Sequence, residues 1–98
     1  MIKHIVFIEF KEQNKEQHIL QVKKLLEELP SKIDCLLDME VCINFDEAPR
    51  AMSLSLYSSF KTKEDLNTYA THEEHLKVVS VIKEVAQYTK VVDYEIEG

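Results

Sequence analysis

Tyr69, His72 and His75 all fall in the stretch YATHEEHLKVV, Tyr69 to Val79, and His4 interrupts the first apolar stretch, IKHIVFIEF. Imidazole titrates near neutrality and a phenol can donate a hydrogen bond, so a Tyr and His in an apolar cleft can shuttle a proton. His72 and His75 stand at i, i+3, so both can share one helix face. HEEH is not the i, i+4 spacing of a zinc protease, and two histidines need a third ligand, so no metal is expected. A plainer reading makes the stretch a helix start. Thr71 and Glu74 then form a capping box, in which each side chain bonds the other's amide, and the histidines only occupy the first turn. Both readings remain open on residue types alone.

The elements that position these groups follow from the change of period along the chain. Residues 2–11 alternate, with Ile2, His4, Val6, Ile8 and Phe10 on one face and Ile5 and Phe7 on the other, as in a strand. Residues 15–29 place Ile19, Val22, Leu26 and Leu29 at helical spacing, with Asn14 as cap and Pro30 as stop. Residues 36–45 and 51–60 alternate again around the breakers Asp46 and Pro49, which predicts an antiparallel hairpin. Leu54 and Leu56 belong to the apolar face of its second strand. Thr62 caps a short helix through Tyr69. A longer helix follows from Thr71, with Leu76, Val79, Ile82 and Ala86 as its stripe and Val78 and Val85 beside it. The last strand, 88–96, sets Tyr88, Val92, Tyr94 and Ile96 against Val91.

The order is β-α-β-β-α-α-β. This is an α+β fold in which helices cover one face of a four-stranded sheet. The other face is expected to carry Ile5, Phe7, Leu36, Tyr57 and Val91. An uncovered face with large apolar groups predicts a homodimer packed sheet to sheet. On the covered face His75 borders the helix stripe, Tyr69 ends the short helix and His4 comes from the first strand. The three are expected to meet in one pocket between sheet and helices, with His72 and Leu54 also lining it.

The chain has 98 residues, a length that suits one domain spanning 1–98. Its net charge is −6 and no basic stripe is present, which argues against nucleic acid and against an anionic membrane surface. No apolar run approaches the roughly 20 residues of a membrane span. MIKHIVFIEFKE lacks a signal-peptide pattern, so a cytoplasmic location is expected. Cys35 and Cys42 are then read as free thiols acting as small buried hydrophobes.

Over nearly its whole length the chain resembles the stress-responsive A/B barrel (Dabb) family. The resemblance rests on IKHIVFIEFK, LLEELPSKI, EVCIN, SSFKTKEDLNTYATHEEHL and VVDYE. The family's Tyr-x-x-His-x-x-His signature falls on Tyr69, His72 and His75, and its early Lys-His on Lys3 and His4. Glu73 stands where the family usually has Pro, and Cys35 and Cys42 stand where members often carry Gly. The resemblance implies a ferredoxin-like fold that dimerises through its sheets into an α/β barrel. It implies no cofactor. Some plant members are polyketide cyclases, which implies Tyr69 and His75 as an acid–base pair acting on a small aromatic or carbonyl ligand. Other members are stress-associated oligomers without a known reaction.

Overall fold

The computed structural model describes residues 1–97. Its elements are β1 (Ile2–Phe10), α1 (Lys15–Glu27), β2 (Asp38–Ile43), β3 (Leu54–Phe60), α2 (Lys63–Thr71), α3 (Glu73–Val85) and β4 (Ala86–Glu95), with a 3₁₀ turn at Leu29–Ser31. The strands form one antiparallel sheet in the order β2-β3-β1-β4, a ferredoxin-like arrangement with the helices on one face. No helix among the described residues is long and apolar enough to cross a membrane.

The alternation in β1 decides which side is covered. Ile2, Ile8 and Phe10 are buried, and so are Leu54, Leu56 and Phe60 of β3 on the same face. Val22 and Leu26 of α1, Tyr69 of α2 and Val78 and Val85 of α3 close over them. Each large apolar side chain fully buried here contributes about 1.5–3 kcal/mol. Between Glu9 and Phe10 the β1–β4 register shifts, so Phe10 pairs with Ala86 and β4 can follow α3 directly.

Directly opposite residues in a ladder share a face, so the register gives the open side of the sheet row by row. One row is Asp38, Ser59, Lys3 and Tyr94; the next is Glu40, Tyr57, Ile5 and Val92; the third is Cys42, Ser55, Phe7 and Lys90. Phe7, Val92 and Tyr94 are exposed there.

Several expectations need correction. Val91 pairs with Val6 and therefore lies on the helix face, not the open one. Leu36 precedes β2 and is buried in the core, because the chain turns inward after Ile33. Leu37, just before the edge strand β2, and Ile43, its last residue, are exposed although they share Val41's parity. Cys42 is exposed on the open face, and Cys35 is only half-buried. Asn14 adopts φ 54°, and its side chain makes no cap bond. A residue in the left-handed region marks a sharp entry turn that Asn tolerates better than most. Helix α1 ends at Glu27, and Pro30 sits early in the following 3₁₀ turn, where its missing N–H is no loss.

Thr71 does not cap α3. It is the last residue of α2, and its hydroxyl donates to the Asn67 carbonyl at 3.1 Å. The first non-helical backbone belongs to His72 (φ −65°, ψ 137°), so His72 is the cap, and its Nδ1 accepts from the Glu74 amide at 3.1 Å. The stripe of α3 is accordingly led by Val78 and Val85, with Val81 and Ile82 packed against the core, while Leu76 is 51% exposed.

Candidate functional site

Three elements bring an aromatic cluster together. β1 carries His4 on the covered face; the end of α2 carries Tyr69; the first turn of α3 carries His75. The Tyr69 and His75 ring centroids are 4.2 Å apart, those of Tyr69 and Phe60 5.1 Å, and those of His4 and Tyr69 6.2 Å, edge-on. His75 reaches this position because it lies three residues before Val78, on the buried stripe of α3.

Each polar group in the cluster has a defined state. The His75 Nδ1 faces the Ala70 carbonyl at 3.1 Å. A carbonyl only accepts, so Nδ1 carries the proton and Nε2 is left as the acceptor. Burial pulls the His75 imidazole below its ordinary range, with the Ala70 bond opposing the shift, so the ring is neutral at pH 7. The Tyr69 ring is 1% exposed, and its hydroxyl has no hydrogen-bond partner among the described residues. Burial pushes this phenol well above its ordinary range, so it stays a donor. A buried polar group without a partner costs about 1–3 kcal/mol.

His4 is held differently. Its Nδ1 bonds the Asp93 carboxylate of β4, the residue directly opposite it in the ladder. The carboxylate accepts, so Nδ1 donates and Nε2 is free to take a proton. Asp93 was not singled out from the sequence. Its only signal was a carboxylate inside the alternating run VVDYE, and which residue it faces depends on register.

Two clefts flank the pair along the same β1–β4 ladder. One, of about 440 Å³, is bounded by Ile2, Leu66, Asn67 and Asp93. The other, of about 310 Å³, is bounded by Val6, Ile8, His75, Val79 and Ile82. Ile2, His4, Val6 and Ile8 follow one another on one strand face, so the two clefts lie in line along β1 as a trough in two separate parts, with His4 between them in the strand. It lies open beside β4, which the helices leave uncovered.

A larger depression, of about 490 Å³, lies at the far end of β1 near Glu9, Lys15 and Ser53. There Glu9 accepts from Ser53 at 2.6 Å and pairs with Lys15 at 2.9 Å. Burial alone would raise the Glu9 carboxyl, but bonds from Ser53, Lys15 and the Phe10 amide outweigh it and leave it below the ordinary value. Size does not make this depression the better site, because its most buried charge, the Glu9 carboxylate, is already engaged by Ser53 and Lys15.

The expected site residues are therefore brought together in part. His4, Tyr69 and His75 meet. His72 adjoins them in sequence, but its Nδ1 is committed to capping α3. Leu54 is buried opposite Ile8, away from the histidines. Among the described residues no group of three or more His, Cys, Asp and Glu side chains is arranged to hold a metal.

The family model described as the stress responsive A/B barrel domain matches residues 2–96. A dimeric protein of unknown function and ferredoxin-like fold from Bacteroides fragilis is 30% identical, covers 97% of this chain and 95% of its own, and superposes with a TM-score of 0.82. A protein from Arabidopsis thaliana, 18% identical, covers 100% of this chain and 97% of its own at a TM-score of 0.86. A hydroxynitrile lyase from Passiflora edulis, 16% identical, covers 98% and 93% at 0.87. The last two likenesses are of fold. Among curated proteins no match is found.

Proposed function

The chain belongs to the stress-responsive A/B barrel family, and we propose that it is a homodimer whose trough takes a small carbonyl-bearing or aromatic molecule and moves a proton on it. The observation that carries this proposal is the Tyr69 hydroxyl, buried without a protein partner beside two imidazoles. A native core rarely keeps such a group unless something else bonds it. In the bound state Tyr69 donates to the ligand's carbonyl oxygen. His4 Nε2 takes the proton, because Asp93 orients the ring and stabilises the imidazolium that forms. Burial disfavours the charged form of His75. Its part is to pack against Tyr69 and hold the phenol in place. The acceptor role that family resemblance implies for His75 thus passes to His4.

The hydroxynitrile lyase of the same fold supports reading this framework as one that can carry an enzyme. The open sheet face, with Phe7, Val92 and Tyr94 exposed, supports pairing of two copies through their sheets, and the Bacteroides fragilis neighbour is described as dimeric. The free thiols Cys35 and Cys42 suit the cytoplasm.

The test is a titration of protein carrying ¹⁵N-labelled histidine with small β-keto and aromatic compounds. His4 and His75 ring signals should move together in the parent. Binding should weaken in Tyr69→Phe, and His4→Ala should bind without turnover. If no compound moves either ring, the proton-transfer proposal fails and a structural, stress-associated oligomer becomes the better account.

A further inference from the structure

The cleft of about 310 Å³ beside His75 differs in chemistry from the other part of the trough. Val6 and Ile8 of β1 and Val79 and Ile82 of α3 give it aliphatic walls. Among the described residues that line it only Lys83 is charged, because the His75 ring is neutral at pH 7. Among the described residues Lys83 has no ion-pair partner. An unpaired cation at the rim of an aliphatic cleft, in a chain of net charge −6, gives that end of the cleft a preference for an anion.

Neighbouring charges do not cancel this preference. Glu84 is next in sequence, but it stands about 100° round the helix and does not line the cleft. The Asp93 carboxylate borders the other cleft and accepts from His4. Lys11 donates to the Glu84 carbonyl at 3.1 Å, so a second cation offsets the partial negative charge at the end of α3.

The cleft also has a polar group in His75. Its Nδ1 is tied to the Ala70 carbonyl, so Nε2 is an acceptor, and among the described residues nothing donates to it. His75, Val79 and Lys83 stand at i, i+4 and i+8, along one stripe of α3. From His75 to Lys83 the helix rises roughly 12 Å, a length that an extended chain of about eight carbons can bridge once both side chains reach toward it.

We propose that this cleft binds an aliphatic hydroxy acid, with its carboxylate on Lys83 Nζ, its chain along Val6, Ile8, Val79 and Ile82, and its hydroxyl donating to His75 Nε2. The proposal rests on the trough as a ligand site and assigns its His75 part, which needs neither the Tyr69 hydroxyl nor the His4 base.

The test titrates the full chain, carrying ¹⁵N-labelled histidine, with 8-hydroxyoctanoate, octanoate and 1,8-octanediol, each below the concentration at which it forms micelles. The hydroxy acid should bind and give the His75 Nε2 signal the shift of an accepted hydrogen bond. Octanoate should bind without that shift. Lys83→Met keeps the apolar stem and should weaken both acids about threefold, the size of an exposed ion pair, while the diol binds it as it binds the parent. Lys83→Arg should restore the acids. Equal binding of both acids by parent and Lys83→Met overturns the proposal. So does failure of all three compounds to bind, which would leave the cleft to a second copy or to no occupant. If β-keto compounds move His4 while this series does not bind, the proton-transfer reading stands and this assignment falls. If the series binds as expected and no β-keto compound moves His4, the reverse holds.

Discussion

Asp93 stands directly opposite His4 in the β1–β4 ladder, and its carboxylate accepts the His4 Nδ1 proton. An edge strand thereby fixes the tautomer of a ring on a central strand. Replacing Asp93 by Asn removes the anion and keeps the shape. The ring ¹⁵N signals of His4, which should report a protonated Nδ1 in the parent, are expected to move toward a mixture of tautomers. An unchanged pattern would show that Asp93 does not orient the ring.

Tyr69→Phe separates packing from function. The ring stays and the unpartnered hydroxyl goes, so stability should hold or rise by up to about 1–3 kcal/mol, the penalty of an unsatisfied buried group. Tyr69→Ala should cost about 3–5 kcal/mol, as large aromatic truncations in a core do. Denaturant unfolding of both variants gives the comparison. A large loss in Tyr69→Phe would mean that the hydroxyl is bonded within the protein.

His75 makes stability depend on pH. Its folded-state value lies below that of the unfolded chain, because burial disfavours the imidazolium. Between the two values the unfolded chain binds more protons than the folded one, so unfolding free energy falls as pH drops below about 6.5, the ordinary imidazole value. The loss levels off once pH is below the folded-state value. His75→Gln should flatten the curve over that window, as seen by urea unfolding at pH 7 and pH 5. A slope equal to the parent's would place the titrating group elsewhere.

The cap of α3 gives a stability test free of any ligand. His72→Ala removes the acceptor of the Glu74 amide and should cost about 1 kcal/mol, as other cap losses do. His72→Asp should restore most of it. Thr71→Ala removes only an exposed hydroxyl bond to the Asn67 carbonyl and should stay within about 0.5 kcal/mol of the parent. The reverse ranking of His72→Ala and Thr71→Ala would return the cap to Thr71.

Charge at the centre of the open face should disperse the assembly. Phe7→Glu places a carboxylate where a second sheet would dry it, and the expected product is a monomer by light scattering. A Phe7→Glu protein that remains dimeric would move the interface off this face.

Local chemistry determined much of this protein. The alternation Ile2-His4-Val6-Ile8-Phe10 fixed which side of β1 faces the helices, since burying alternate side chains admits one choice of face. The Thr62 cap was legible for the same reason: its hydroxyl accepts from Asp65 N three residues on, within one turn. Thr71 and His72 were not so separable, because either can supply an acceptor and only the backbone path decides where one helix stops and the next begins. Where α3 starts then fixed its phase, turning Leu76 outward and Val78 inward. Asp93 and Val91 were decided by tertiary structure alone. Parity shows that they share a face, but not which face, and their partners across the sheet depend on a register set by the bulge between Glu9 and Phe10. The site is assembled the same way: Tyr69 and His75 are neighbours in sequence, whereas His4 and Asp93 join them only when the first and last strands pair.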